Sequence, residues 1–280
     1  MHELGGKVAV ITGGASGFGR ELALLCAGEG MRLVLADVDP RGLEATVALL
    51  PQVGDRGAQV LCVACDVSNA EAVEALAEAT YDRFGATHLL FNNAGVGVSG
   101  PIWAATLDDW EWVIGVNVMG VVYGIRSFVP RMLAAGEAGH IVNTASVAGF
   151  VSVPGSGVYC ASKHAVVTIS ECLLHDLGIA RSRLGVSVLA PAFVSTGIAD
   201  AARNRPASLA ATNPLAKPYE DRVRKAVQSG RLSAADVARF TLEGVKADRF
   251  YLFTHPGILP SIAARGREIV EGLPPGNPMP

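Results

Sequence analysis

The chain has 280 residues, half of them hydrophobic, and a formal charge of −3 with a sequence pI near 6.1. This much apolar sequence is ample for a sizeable core. The slightly acidic balance argues against a protein that binds nucleic acid or a membrane surface, because both need concentrated positive charge. We therefore expect a folded protein whose partners are a small molecule and further copies of the same chain.

Seven short apolar runs, rich in β-branched residues, are predicted strands, and they begin at Lys7, Met31, Ala58, His88, Gly139, Gly185 and Arg249. Segments with helical spacing lie between them, including Arg20 to Gly28, Ala70 to Phe84, Leu107 to Met132 and Val158 to Leu177. This alternation predicts an α/β fold of Rossmann type. We expect one doubly wound parallel sheet of about seven strands with helices on both faces, in a single domain over residues 1–270.

Two regions depart from the alternation. Residues 197–232, called the lid segment below, contain prolines and charges and are predicted to cover a substrate, and residues 271–280 are predicted to be a loose C-terminal tail or a partner-binding arm. An acidic substrate would suit the basic residues of the lid segment, but a solvated helix face explains them better. These residues are Arg203, Arg205, Lys217, Arg222, Arg224, Lys225 and Arg231, against Asp200, Glu220 and Asp221.

A cytoplasmic location is expected, because the first predicted strand begins at Lys7 and no uninterrupted run of about 18 apolar residues favours a membrane span. The five cysteines lie in apolar contexts typical of reduced thiols, and Cys62 and Cys65 lack the second ligand pair that zinc would need. The histidines, including His2, show no metal-ligand spacing. We expect no catalytic metal.

The stretch ITGGASGFGRELALL places Gly13, Gly17 and Gly19 between the first strand and a helix. Residues without Cβ there let the backbone approach a pyrophosphate and direct helix N–H groups at it. An ordinary tight turn would use glycines as well, but the position after the first strand favours a dinucleotide cradle.

Asp37 ends the second strand, close to the spacing at which an acid meets the adenosine ribose in such folds. Its carboxylate would accept hydrogen bonds from the ribose hydroxyls and repel a 2′-phosphate, so NAD is favoured over NADP. Capping of the DVDP loop by the same acid is the alternative, and Arg20 and Arg41 remain candidates for binding a phosphate.

With these pieces in place, the chain resembles the short-chain dehydrogenase/reductase family from about Lys7 to Thr196, and more weakly to about Pro260. The motifs that carry the resemblance are TGGASGFG from Thr12, Asp37, CDV from Cys65, NNAG from Asn92, Asn117, Ser146, and Tyr159 with Lys163. The resemblance implies cofactor contacts from Gly13, Ser16, Gly17, Phe18, Gly19, Asp37, Asp66, Val67, Asn93, Ala94, Gly95, Tyr159, Lys163, Pro191, Val194 and Thr196, with Asn92 as a further candidate that also stabilises the sheet.

The catalytic group implied by the resemblance consists of Asn117, Ser146, Tyr159 and Lys163. A phenol is a poor base at neutral pH, but a neighbouring ammonium favours the phenolate, and residues four apart on a helix project to the same side. Ser146 would hold the substrate oxygen while Tyr159 moves the proton, and Asn117 would hold a water that links Lys163 to solvent. Taken singly, each of these residues also suits an ordinary structural position.

Two departures from the family pattern concern the substrate and the assembly. Pro191-Ala192 stands where the family usually has Pro-Gly, and RFYLFTHPGI replaces the usual C-terminal pattern. The segment from Gly100 to Phe150 is similar to a subgroup that acts on aromatic alcohols, so we expect a secondary alcohol or ketone substrate, aromatic or otherwise hydrophobic. An apolar pocket is predicted from Phe150, Val151, Val153, Phe193 and Ile198.

The long helices predicted from Leu107 and Val158 are apolar on more than one side, which favours a homodimer or homotetramer. Two other functions stay open at this point. The first is an NADP-dependent carbonyl reductase on the same scaffold, and the second is a non-catalytic protein that senses a dinucleotide, against which the complete Ser146, Tyr159 and Lys163 set argues.

Overall fold

The sheet of the computed structural model, which describes residues 3–51 and 59–278, consists of seven parallel strands in the order β3-β2-β1-β4-β5-β6-β7. Their bounds are Val8–Thr12 (β1), Arg32–Asp37 (β2), Val60–Ala64 (β3), Leu89–Asn92 (β4), Gly139–Thr144 (β5), Leu184–Ala190 (β6) and Tyr251–Phe253 (β7). The predicted doubly wound sheet is confirmed. The start proposed for β3, Ala58, lies outside the described residues.

Helices cover both faces of this sheet. They are Gly17–Gly28 (α1), Pro40–Leu49 (α2), Ala70–Phe84 (α3), Leu107–Ile114 (α4), Gly120–Ala135 (α5), Gly157–Ile179 (α6), Lys217–Gln228 (α7), Ala234–Lys246 (α8) and Leu259–Glu271 (α9). Helix α3 has the predicted bounds, whereas α1 begins three residues before Arg20. The lid segment contains α7 and short 3-10 turns.

The predicted helix from Leu107 to Met132 is divided, and this is a correction. A π-helical turn, Gly115–Met119, separates α4 from α5. One extra residue in a turn rotates the side chains that follow, and such bulges are found mostly where a helix serves a site. Here the turn carries Asn117, whose side chain is fully buried.

Two apolar layers hold the helices to the sheet. One cluster joins α1 and α8 to β1 and β2 through residues such as Leu22 and Val237, and the other joins α3, α5 and α6 to the opposite face through Leu76 and Phe128. Complete burial of a side chain of this size stabilises the fold by about 1.5–3 kcal/mol. The chain is one domain with one continuous sheet.

The stretch Leu107–Ala135 is long and apolar enough, with a mean hydropathy of 1.5 over its most apolar window, to cross a bilayer by length and composition. Half of that window is buried inside the domain, where Trp112, Val113 and Phe128 pack against other elements. Its apolar character is therefore accounted for by core packing.

The strand order reverses between β1 and β4, because the chain adds β2 and β3 on one side of β1 before it continues on the other. Crossovers then leave the two strands in opposite directions, which opens a crevice at their carboxyl ends. Most of the predicted site residues follow the carboxyl ends of the strands of this sheet, whereas Asn117, Tyr159 and Lys163 lie on helical segments.

Candidate active site

A cavity of about 740 Å³ lies at the carboxyl edge of the sheet. Loops after six strands, the N-terminus of α1, the first turns of α6 and the lid segment form its wall. Among the predicted site residues, the wall contains Gly13, Ser16, Gly17, Phe18, Asp37, Asp66, Val67, Asn93, Ala94, Gly95, Ser146, Tyr159, Lys163, Pro191, Val194 and Thr196. Gly19, Asn92 and Asn117 do not line it.

The N-terminus of α1 opens directly into the cavity. Its N-cap residue, Ser16, makes no side-chain capping bond, and the first turn holds no acidic residue. The free N–H groups and the positive end of the helix dipole therefore suit an anionic group, such as a pyrophosphate. This chemistry fits the dinucleotide that the glycine pattern predicted.

A side chain would be strained at three glycines of this turn, Gly13, Gly17 (φ +53°) and Gly19. Gly13 has φ +70°, and a Cβ there would lie 3.0 Å from Asn93 Nδ2. A Cβ on Gly19 would lie 2.0 Å from the carbonyl oxygen of Gly13, so Gly19 serves close packing of α1 on the turn rather than contact with a ligand. The predicted role of Gly19 in the cradle is thus indirect.

Asp37 caps the loop that follows β2 and also reaches the cavity. Its carboxylate oxygens accept hydrogen bonds from the backbone N–H of Ala15 at 3.0 Å and of Asp39 at 3.1 Å, and the residue also lines the cavity. Burial raises the pKa of Asp37, while these N–H groups oppose the rise. Each carboxylate oxygen has a second lone pair, which leaves acceptor capacity for hydroxyl groups.

The loops after β3 and β4 are held by short polar bonds. Asn93 Nδ2 donates to the carbonyl of Thr12 at 2.9 Å, and the N–H of Ala94 donates to Thr12 Oγ1 at 3.1 Å. Asp66 accepts hydrogen bonds from the backbone and hydroxyl of Ser68. Asn92 instead donates to Asn143 at 2.9 Å inside the core, so its side chain is structural.

Ser146 and Tyr159 are neighbours in the cavity wall. Ser146 Oγ also donates to the carbonyl of Pro191 at 3.2 Å and accepts from the N–H of Ala148 at 3.2 Å, which fixes its rotamer. Burial raises the pKa of Tyr159 to about 12, and the Ser146 hydroxyl opposes the rise. The phenol is therefore a proton donor at neutral pH.

Lys163 is almost completely buried, with 3% of its surface exposed. Its Nζ donates to the carbonyl of Thr144 at 2.8 Å and lies 5.6 Å from the centroid of the Tyr159 ring. Burial lowers the pKa of Lys163 to about 8. The expected proximity of the two groups holds. The expectation that the Lys163 ammonium and the nicotinamide cation together favour the phenolate concerns the protein with bound cofactor, and it stays a prediction.

Asn117 lies behind the cavity wall. Its amide nitrogen donates to the carbonyl of Val96 at 2.9 Å and to Ser162 Oγ at 3.0 Å, and its Oδ1 accepts from the N–H of Val96 at 2.8 Å. Ser162 in turn donates to the carbonyl of Tyr159. Asn117 thus joins the loop after β4 to the turn of α6 that carries the phenol.

Part of the cavity wall is apolar, and the lid segment adds charged residues to it, among them Arg203, Glu220 and Arg222. Val151, Val153, Phe193 and Ile198 line the cavity as predicted. Phe150 does not, because its ring packs against the rings of Phe253 and Tyr251 in β7, with centroids 4.9 Å and 5.9 Å apart. A pattern of apolar residues cannot distinguish these two surroundings.

Further wall residues were not predicted from the sequence, among them Val96, Trp112, Tyr219, Ile258, Asn277 and Pro278. The last two belong to the C-terminal tail, which turns back after α9 with the N–H of Leu273 donating to the carbonyl of Glu268. Residues 279 and 280 of that tail lie outside the described residues. No local signal in the sequence links Asn277 and Pro278 to this cavity, because the nearest catalytic candidate lies about 100 residues earlier in the chain.

Residues 3–51 and 59–278 contain no group of three or more His, Cys, Asp or Glu side chains placed to hold a metal ion. Cys62 is exposed and Cys65 is buried, so the two thiols of the CxxC point to different surroundings. His2 lies outside the described residues.

Comparison with known proteins gives a consistent result. A family model described as short chain dehydrogenase matches residues 7–207. A crystal structure of a short chain dehydrogenase/reductase from Burkholderia phymatum, in complex with NAD, is 50% identical, with a TM-score of 0.95 and complete coverage of both chains.

Two curated relatives match over nearly the whole chain. A CLA biosynthesis dehydrogenase/reductase of Lactiplantibacillus plantarum is 34% identical over 98% of this chain and 97% of its own length. A C alpha-dehydrogenase of Sphingobium sp. strain SYK-6 is 33% identical over 98% of this chain and 89% of its own. Similarity of this extent covers the fold, the cavity and the lid segment together.

Proposed function

The chain belongs to the short-chain dehydrogenase/reductase family of oxidoreductases, and from that premise we propose that it interconverts a secondary alcohol and a ketone by hydride transfer with NAD. The observation that carries the proposal is the meeting of Ser146, Tyr159 and Lys163 in the wall of the cavity that also contains the N-terminus of α1. A proton donor, an oxygen-binding hydroxyl and an anion site in one cavity suit this reaction.

In this proposal, the uncapped first turn of α1 holds the pyrophosphate, and Asp37 accepts hydrogen bonds from the adenosine ribose. Bound NAD⁺ supplies the hydride acceptor and a positive charge. The loops carrying Asp66, Val67 and Ala94 border the adenosine end, and Thr196 borders the nicotinamide end, as the family resemblance implies.

Tyr159 moves the proton of the reacting oxygen. With its pKa raised to about 12, the phenol gives up a proton readily only to a developing alkoxide, which suits ketone reduction. In alcohol oxidation the phenolate is needed, and positive charge at the site favours it. Ser146 would turn its hydroxyl proton from the Pro191 carbonyl to the same substrate oxygen and so stabilise the charge that develops there.

Lys163 is suited to pass that proton on, because a pKa of about 8 lies close to the working pH of a general acid–base group. Asn117 holds the Val96 backbone and, through Ser162, the first turns of α6. We propose that Asn117 holds Tyr159 in position and also holds the water that the family resemblance implies.

NAD is the proposed cofactor because the Asp37 carboxylate repels a 2′-phosphate. NADP is the alternative, and one observation favours it: Arg41 and Arg203 line a shallow cavity beside Asp39, although Nη1 of Arg203 already donates to the carbonyls of Gly197 and Asp200. Arg20 is unsuited to this role, since its guanidinium bonds the Thr46 hydroxyl and the carbonyl of Ala15.

Replacement of Asp37 by alanine tests the choice of cofactor. We expect the KM for NAD to rise by about 10-fold or more and the preference to move towards NADP, because the variant loses two acceptor oxygens and a repelling charge. Steady-state kinetics with both cofactors measures this. Unchanged NAD kinetics in the variant would assign Asp37 to loop capping alone.

A hydrophobic, and in particular an aromatic, secondary alcohol is the proposed substrate. Support comes from the apolar wall around Trp112, Val151, Val153 and Phe193, and from the similarity to the C alpha-dehydrogenase. Such a molecule would lie against these apolar residues with its hydroxyl towards Ser146 and Tyr159.

The decisive experiment follows absorbance of the reduced nicotinamide with NAD or NADP and a panel of aromatic, steroidal and sugar alcohols. We expect Tyr159→Phe to lower turnover by about 10²–10⁴-fold without loss of dinucleotide binding. Tyr251→Phe is the matched control, since the Tyr251 hydroxyl bonds Glu171 at the protein surface. A wild-type protein that binds NAD tightly but turns over no alcohol or ketone would be the dinucleotide sensor instead.

We also propose a cytoplasmic homodimer or homotetramer. Exposed apolar side chains on α5 and α6, such as Leu133 and Ile179, support assembly through these helices. Light scattering at micromolar concentration distinguishes the assemblies, and a monomer there rejects them.

A further inference from the structure

The middle of the lid segment has an arginine that points away from the cavity. Ala201, Asn204 and Pro206 line the cavity, whereas Arg205, which lies between the last two, does not. The predicted solvated role of the lid charges holds for Lys217 and Arg224, which form exposed ion pairs, but it is wrong for Arg205. Only 8% of the Arg205 side chain is exposed.

Arg205 binds three separate groups. Its Nη1 donates to Asp109 Oδ1 at 2.7 Å, and its other nitrogens donate to the carbonyl oxygens of Leu209 and Ala211. The guanidinium also lies 5.1 Å from the centroid of the Trp112 ring. A planar guanidinium makes such bonds in fixed directions, so these contacts define the path of residues 205–211.

The partner of Arg205 is equally fixed. Asp109 is 2% exposed at its side chain, and its Oδ2 accepts from the N–H of Thr106, which completes the capping box at the start of α4. The first turn of α4 adds two more bonds to the lid segment: Asp108 accepts from the N–H of Ala211 at 2.9 Å, and Thr106 donates to the carbonyl of Ala211 at 3.0 Å.

Helix α4 leads directly into the π-helical turn that carries Asn117, and Trp112 of α4 lines the cavity. The side chain of Ala201 packs in the same apolar cluster as Trp112. Helix α4 therefore holds two parts of the site: the cavity wall formed by the lid segment, and the π-helical turn whose Asn117 supports the proposed catalytic residues.

We propose that Arg205 is a positioning residue that, through its buried ion pair with Asp109, clamps residues 201–211 to α4 and so fixes the wall against which the substrate is held. The inference rests on the proposed function in so far as the cavity receives the substrate. Arg205 does not touch the reacting atoms, and the pair acts on substrate binding through Asn204, Pro206 and Trp112.

The test uses the full-length protein with Arg205→Met and with the double variant Asp109→Asn, Arg205→Met. The double variant leaves no unpaired buried charge, so it keeps the test valid where the single variant folds poorly. The matched control is Arg224→Met, which removes an exposed lid arginine paired with Asp200. With the best alcohol from the screen, we expect both clamp variants to raise KM by about 10-fold or more, with dinucleotide Kd within about twofold of wild type.

Hydrogen exchange measures the clamp without any turnover. The amide of Leu209 donates to the carbonyl of Pro206 within the clamped stretch, and the amide of Ala211 donates to Asp108 on α4. We expect both amides to exchange about 10-fold faster or more in both clamp variants, while amides of α7 keep their wild-type rates. Arg205→Lys, which keeps the charge but not the fork of donors, is expected to restore only part of the protection.

Wild-type exchange at Leu209 and Ala211 in the folded double variant overturns the proposal, whether or not a substrate is known. Faster exchange with an unchanged KM overturns it too, since the wall would then not depend on the clamp. A protein that turns over no alcohol or ketone but shows the exchange difference refutes the proposed function and leaves the clamp standing.

Discussion

Burial of Lys163 without a carboxylate partner makes a strong prediction about stability. Among the described residues its ammonium bonds only the carbonyl of Thr144, and burial lowers its pKa from 10.5 to about 8. At about 1.4 kcal/mol per pH unit, this difference means that the charged side chain costs the fold about 3 kcal/mol at pH 7. Lys163→Met removes the charge and keeps most of the volume.

The sign of the pH dependence follows from proton binding. Between pH 8 and pH 10.5 the unfolded chain keeps the Lys163 proton while the folded protein releases it, so the wild type gains stability as pH rises through this window. Below pH 8 the full cost is present. Lys163→Met removes the cost of the buried charge but also loses the hydrogen bond to Thr144, which is worth about 1 kcal/mol. We therefore expect the variant to be about 2 kcal/mol more stable than wild type at pH 7. The difference should nearly vanish by pH 9.5.

Urea unfolding of protein free of dinucleotide, at pH 7 and pH 9.5, measures both quantities. Lys217→Met is the control, because that lysine is 75% exposed and its loss should change stability by less than about 0.5 kcal/mol at either pH. A Lys163→Met protein that is less stable than wild type at pH 7, or whose advantage stays constant with pH, would refute the burial argument.

Two further predictions concern other parts of the fold. Gly19→Ala should lower the free energy of unfolding in urea by about 1–3 kcal/mol and weaken dinucleotide binding, because the new Cβ would overlap the Gly13 carbonyl. Gly28→Ala is the control, since Gly28 lies in open space on the same helix, and equal effects of the two substitutions would contradict this reasoning. Burial lowers the pKa of His140 to about 4, so the free energy of unfolding of the wild type should fall by up to about 1.4 kcal/mol per pH unit as pH falls from 6.5 towards 4. His140→Gln should make this pH dependence flatter, and an unchanged pH dependence would assign the acid sensitivity to other groups.

The parallel sheet was predictable because buried parallel strands are apolar throughout. Five of the strands, such as β1 and β5, are buried at most or all positions, so their sequences differ clearly from the amphipathic helices around them. Four features then come together at the carboxyl edge of the sheet, because each lies at the end of a strand or beside such an end. They are the glycine turn, Asp37, Ser146 and the helix that carries Tyr159.

What the sequence could not supply depends on contacts between distant segments. The π-helical turn around Asn117 follows the same apolar spacing as a regular helix. Arg205 has the same composition signal as its solvated neighbour Arg203, and only the folded partner Asp109, 96 residues earlier, distinguishes them. The high pKa of Tyr159 could not be predicted for a related reason, because local spacing reveals a nearby ammonium but not the burial of the phenol.

The two buried cations of the site show why a costly arrangement can persist. Arg205 faces a carboxylate, so the pair is neutral and exerts little field on the cavity, which suits a clamp. Lys163 lacks such a partner among the described residues, and its field reaches the Tyr159 ring 5.6 Å away uncompensated. A carboxylate beside Lys163 would have made it easier to bury, but it would also have cancelled the charge that favours the phenolate. The stability lost at Lys163 is thus a direct consequence of the work proposed for it.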